Sequence, residues 1–236
     1  MVNRYKEERR RIKEIRRLQK LSKTEISVIG PNKKVEIQNK NNSVAFVLGN
    51  GTSRQPIAPI DLQKYGTIYG CNALYRSFAP DYLVAVDSKM IFEISKSGYQ
   101  LENSVWTNPN KSYSNLKGFN FFKPSKGWSS GPTALHLASS HQYDHVYILG
   151  FDYKGLNDGK TVNNVYAGTL NYKKNGERAT FFGNWLKQTM NVVKDNPQTK
   201  YTRVIYQNGH IPKDLVNIKN LTHITVEEFQ KLFNLT

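Results

Sequence analysis

The sequence predicts an α/β chain, a single and mainly parallel twisted sheet flanked by helices. Three observations lead there. Short apolar runs at 43–48, 67–71, 82–86 and 145–149 each break into a small polar turn, as strands of an open sheet do when they deliver loops to one edge. The stretches between them carry helical signals. A length of 236 residues with 38% hydrophobic content is enough for one sizeable domain with an appendage.

Residues 1–23 hold ten Lys or Arg against three Glu, so this segment supplies +7 of a formal net charge of +16. Arg9, Arg10, Arg11, Arg16 and Arg17, with Lys13, Lys20 and Lys23, surround a thin line of Ile12, Ile15, Leu18 and Leu21, which predicts a basic helix with a narrow apolar stripe. Such a helix suits nucleic-acid phosphate, another polyanion, an anionic membrane or an acidic protein. Packing of the stripe on its own domain is the alternative. At 24–42, Glu25 to Ile29 and Val35 to Gln38 alternate around Gly30-Pro31-Asn32-Lys33, a β-hairpin pattern.

The α/β domain is expected over 43–236. Helices are expected at 88–96, 131–140 and 177–193, short strands at 104–106 and 119–122, and a further strand at 202–206. Residues 155–176, rich in Gly, Asn and Lys, read as a mobile loop over the sheet edge. A closing helix is expected from Thr225, which with Glu228 forms a T-x-x-E box.

Four turns converge on one expected crevice: 49–54, 71–75, 128–133 and the one after Phe151. Gly49 and Gly51 permit positive φ and close backbone approach, and free amides with Thr52 and Ser53 suit an anion such as phosphate. Ser130 is a candidate cap for a helix whose first N–H groups lie nearby. The pattern is a nucleotide-binding, Rossmann-like one, without a complete G-x-x-x-x-G-K-[ST] or G-x-G-x-x-G motif.

The order Gly49-Asn50-Gly51-Thr52-Ser53-Arg54, Gly70-Cys71-Asn72-Ala73-Leu74-Tyr75, Ser129-Ser130-Gly131-Pro132-Thr133 and Leu149-Gly150-Phe151-Asp152-Tyr153 resembles the bacterial lipooligosaccharide sialyltransferases over about residues 43–210. The resemblance implies a GT-A-like nucleotide-sugar fold, a CMP-activated sugar as donor, and transfer without a metal or other cofactor. Residue by residue, it puts Asn50, Gly51 and Ser53 near the nucleotide phosphate, Asn72 near the nucleotide, and Ser129, Ser130 and Gly131 near the phosphate or sugar. The family's general base is a histidine after the fourth motif. Residues 164–172 hold none, which leaves Tyr166 as the candidate there and Tyr172 as a phosphate contact. An unperturbed tyrosine is a poor base at neutral pH, so catalytic competence stays open.

Asp87 and Asp152 form a candidate carboxylate pair or metal site, although strand-end aspartates also cap helices and turns. His136, His141 and His145 lack the cysteine or acidic partner of a zinc set, and no serine has the G-x-S-x-G context. The lone Cys71 excludes an intramolecular disulfide. Neither a membrane span nor a signal peptide is legible, so a cytoplasmic protein is expected. The Lys-, Asn-, Ile- and Tyr-rich composition hints at an AT-rich genome, such as a virus. Two classes remain: a glycosyltransferase-like protein, and a non-enzymatic viral structural or nucleic-acid-associated one that keeps the fold as a scaffold.

Overall fold

The computed structural model describes residues 43–235, so the expected basic helix at 1–23 (Arg9, Arg10, Arg11, Arg16 and Arg17 included) and the hairpin at 24–42 lie outside the described residues. Eight strands form one all-parallel sheet: β1 Val44–Leu48, β2 Thr67–Cys71, β3 Tyr82–Val84, β4 Val105–Thr107, β5 Phe119–Phe121, β6 His145–Leu149, β7 Lys200–Ile205 and β8 Leu221–Thr225. Their order is β5-β4-β3-β2-β1-β6-β7-β8. The chain builds outward from β1 in one direction, then returns to its other side. This Rossmann-like arrangement places a topological switch point between β1 and β6.

The strands read as continuous apolar runs because both faces are covered. Alternation sorts them into two cores. On one face Phe46, Leu48, Ile68 and Tyr147 share one core with α4 (Val226–Leu232), Phe46 and Phe229 meeting edge-on at 6.1 Å between ring centroids. On the other, Ala45, Val47, Val146 and Ile148 pack against α2 (Ser130–Ser140) and α3 (Gly183–Asp195). Helix α1 (Ser88–Ser97) buries Met90, Ile91 and Ile94 and stops at Gly98, whose φ of 72° makes a left-handed C-terminal cap.

Most expected elements form within a residue or two of their sequence positions. The Thr225 box closes as expected: Thr225 Oγ1 accepts from Glu228 N at 3.2 Å, and Glu228 Oε2 accepts from Thr225 N at 2.7 Å. Three corrections arise. The helix expected from 177 begins at Gly183, because residues 177–179 are held extended: Val162 N donates to Glu177 O (2.8 Å) and Ala179 N to Lys160 O (2.9 Å). Strand β8 was not expected. Its Leu-Thr-His-Ile-Thr sequence lies at the sheet edge, where one-sided pairing needs no apolar run. The helix cap is Ser129, and Ser130 is the first residue of α2.

Candidate functional site

A crevice of about 540 Å³ opens at the carboxyl ends of the strands, across the switch point. Its floor is formed by the turns after β1, β2, β3 and β6 and by the start of α2; its outer wall is the segment 153–185.

The turns after β1 and β6 are zipped together. Gly49 N donates to Leu149 O and Gly51 N to Gly150 O, both at 2.8 Å, extending the parallel pairing past the strands. A Cβ on Gly49 would lie 2.6 Å from Gly150 O, and one on Gly51 2.5 Å from Asp152 Oδ2. Close approach, not positive φ, therefore requires these glycines; Gly51 has φ −66°. The amides expected to hold an anion are spent internally. Thr52 N donates to Asn163 Oδ1 (2.8 Å) and Ser53 N to Asp152 Oδ2 (3.1 Å), while Ser53 Oγ bonds the other Asp152 oxygen. Ser53 is buried behind the turn and does not line the crevice. Asp152 thus fastens a turn, the structural role that strand-end aspartates commonly take.

Donors survive at the start of α2. The first intrahelical bond joins Thr133 N to Ser129 O (3.0 Å), and Ser129 N donates to Gln188 Oε1 (3.1 Å), so the amides of Ser130 and Gly131 have no protein acceptor among the described residues. Ser129, Ser130 and Gly131 all line the crevice. Ser130 Oγ locks the corner, donating to Asn72 Oδ1 (2.7 Å) and accepting from Val86 N (3.1 Å). Asn72 sits at φ 51°, a left-handed conformation that asparagine tolerates better than most residues.

Asn50 and Tyr172 meet across the crevice. Tyr172 Oη accepts from Asn50 Nδ2 (3.2 Å) and from Ala73 N (3.3 Å), which leaves its own proton without an acceptor, while Asn50 Oδ1 is buried without a partner. Turning the amide over lets Tyr172 donate to Oδ1 and leaves Nδ2 unpaired instead. In either orientation one buried polar atom of Asn50 lacks a partner, an unusual condition that a ligand can relieve. Burial raises the Tyr172 hydroxyl well above the ordinary tyrosine range.

Tyr166 does not line the crevice. It lies behind Tyr172, ring centroids 5.4 Å apart, and its Oη accepts from Arg54 Nη2 at 2.9 Å. The expected mobile loop is tied down at several points. Val165 N donates to Asn50 O (2.8 Å), and Arg76 donates to Thr169 Oγ1 (2.8 Å) and Leu170 O (2.7 Å) while forming a two-pronged pair with Glu93 on α1.

Sequence reasoning undervalued Asp87 and missed Arg203. Asp87 follows β3, lines the crevice, and its carboxylate has no hydrogen-bond or ion-pair partner among the described residues. It is solvent-accessible but walled by its neighbours, and this partial desolvation raises its pKa above the ordinary aspartate value. Arg203, in β7, is 1% exposed with no carboxylate within salt-bridge distance. It donates to the carbonyls of Phe151 (2.8 Å), Asp152 (3.4 Å) and His210 (2.7 Å), clamping the turn after β6 from behind.

None of the five histidines lines the crevice, and among the described residues no three His, Cys, Asp or Glu side chains converge on a metal-sized site. No helix among them is long and apolar enough to cross a membrane. Compared with protein-family models, curated proteins and solved structures, the chain matches none.

Proposed function

We propose that the crevice binds a nucleotide sugar, with a CMP-linked donor favoured by the motif resemblance, and that the chain is a glycosyltransferase-like protein. The observation that carries this reading is the crevice itself. A cavity of about 540 Å³ at a switch point, in the size range of small-molecule sites, is lined by the unpaired Ser130 and Gly131 amides and by Asn50. In this reading the phosphate rests on the α2 amides, where aligned N–H groups favour negative charge. Asn50 completes its hydrogen bonding on the nucleotide.

Asp87 is the group we assign as proton acceptor, in preference to Tyr166. As the acceptor hydroxyl oxygen bonds the anomeric carbon, the anomeric carbon–phosphate oxygen bond breaks. The hydroxyl proton passes to the Asp87 carboxylate, and the nucleotide departs with the electron pair, its charge met by the α2 amides. No metal is needed for this balance. The test is calorimetric titration of the full chain with CMP, UDP and GDP ligands. Binding of one of them supports the reading; no heat with any of them at millimolar concentration overturns it.

A second reading, a non-enzymatic scaffold acting through its basic N-terminal segment, is favoured by one observation: no histidine reaches the crevice. Its test compares the full chain with residues 43–236 on DNA, RNA and anionic vesicles across a salt series. A steep salt dependence present only in the full chain supports it. Equal affinities overturn it.

A further inference from the structure

A second cavity, of about 650 Å³, adjoins the outer wall of the crevice and is lined by Gly155, Gly159, Lys160 and residues 178–182. Gly155, Ala179, Thr180 and Phe182 line both cavities, so a single thin partition separates them. The partition is the extended ribbon in which Thr161 pairs with both Leu156 and Arg178. Two cations, Lys160 and Arg178, border the annex, and neither side chain has a hydrogen-bond or ion-pair partner among the described residues. Beside them Phe181 is 76% exposed, and Trp185, at 38%, lines the neighbouring crevice. Phe181 thus sets an exposed aromatic face beside two unpaired cations.

The geometry points to the annex as a site for an anionic glycoside, whose sugar face stacks on Phe181 and whose phosphate or carboxylate pairs with Arg178 and Lys160. The assignment of that glycoside as the acceptor rests on the crevice reading above: a glycoside held there lies across one ribbon from the crevice that Asp87 lines. Charge complementarity decides the class. A neutral sugar would use the aromatic face and leave both cations unanswered, whereas a guanidinium offers a carboxylate or phosphate two parallel donors.

The test is titration of the full chain with trehalose 6-phosphate, a uronic-acid disaccharide and neutral trehalose, in the absence of nucleotide. The first two probes distinguish phosphate from carboxylate. The expected result is binding of at least one anionic probe, with trehalose and the K160A/R178A double variant each weaker by about tenfold or more. Phe181→Ala should weaken anionic and neutral probes alike. The substituted side chains are exposed, so unfolding midpoints should match the wild type. Wild-type affinity in the double variant would overturn the assignment, because the basic N-terminal segment is retained there. Equal binding of trehalose and the anionic probes would overturn it too. Concentration-dependent self-association lost in Phe181→Ala, with no saccharide bound, would overturn it in favour of a contact between copies. A CMP titration runs in parallel. CMP binding without saccharide binding defeats the annex alone; saccharide binding without CMP binding defeats the crevice reading and leaves the annex standing as an anionic-glycoside site.

Discussion

The two sides of the crevice are built on opposite plans. The floor, where the turns after β1 and β6 meet, is backbone against backbone: glycines, paired amides and no room for a methyl group. The outer wall, residues 153–185, is exposed over much of its length and held to the rest of the molecule by a few ties such as Val165 N to Asn50 O and Arg76 to Thr169 and Leu170. A floor of this kind fixes where a ligand can lie. A wall of this kind sets what else can reach it, because its ties can be exchanged without disturbing the sheet.

The contrast breaks most easily at the floor. Gly51→Val would drive a side chain into Asp152 and Gly150, and the expected cost is about 3 kcal/mol or more, read as a lower denaturant midpoint or failure to fold. A wild-type midpoint would show that the two turns are not zipped. Next in size is Asp87→Asn. If Asp87 takes the acceptor proton, turnover should fall by about 10²–10⁴-fold with nucleotide affinity retained. Because the Asp87 pKa is raised, wild-type turnover should decline as pH falls through a value above the ordinary aspartate range. That limb should be missing from the residual activity of the Asn variant, and its persistence there would exclude Asp87.

On the wall, Arg76→Ala leaves the partly buried Glu93 without its charged partner, with only Tyr75 and Asn171 still donating to it, and should cost about 1–3 kcal/mol. Amide exchange should speed up across 164–173 while the β1 and β6 amides stay protected; uniform loss of protection would mean that floor and wall unfold as one. The same tie has a pH signature. Burial alone would raise the Glu93 pKa, but hydrogen bonds from Arg76 and Tyr75 and the Arg76 charge outweigh it, and the net shift is downward. Its stabilisation is present above the ordinary Glu value and is lost as pH falls below that value through the lowered folded one. The smallest effect is expected at Gly176, at φ 82° with open space around it. Gly176→Ala should cost only about 1 kcal/mol, for the backbone conformation alone.

What the sequence made legible follows the same division. Strand β1 and the Thr225–Glu228 box are encoded by neighbours in the chain, and each forms where local pattern places it; the start of α2 falls one residue earlier than its pattern suggests. The fate of the turn amides was not legible. Their acceptors at 149, 150, 152 and 163 lie about a hundred residues on, and nothing in Asn50-Gly51-Thr52-Ser53 announces them. Arg203 was hidden for a related reason: an arginine inside a strand reads as solvent-facing, and only the turn carbonyls packed behind the sheet explain its burial. The start of α3 was misplaced because Glu177 to Phe182 carries helix-compatible residues whose pairing with 160–162 overrides local preference. Asp87 was legible as a position, but only the crevice shows it to be the unbonded carboxylate.

The central place of β1 in the sheet also sets the order in which the chain can complete itself. Val44 and His145 are register partners although 101 positions separate them, so when a ribosome has released β1 through β5, one edge of the innermost strand still waits for a neighbour. Through about a hundred residues of synthesis that edge, apolar on both faces, is open to the wrong strand or the wrong chain. The arrival of β6 does two things at once: it covers the edge and brings the second half of the crevice floor. A nascent chain halted before residue 145 would therefore hold five of the eight strands, an incomplete crevice and an open edge on its innermost strand. Slow maturation and reliance on chaperones are the expected biological signature of a site placed where a sheet reverses its direction of growth.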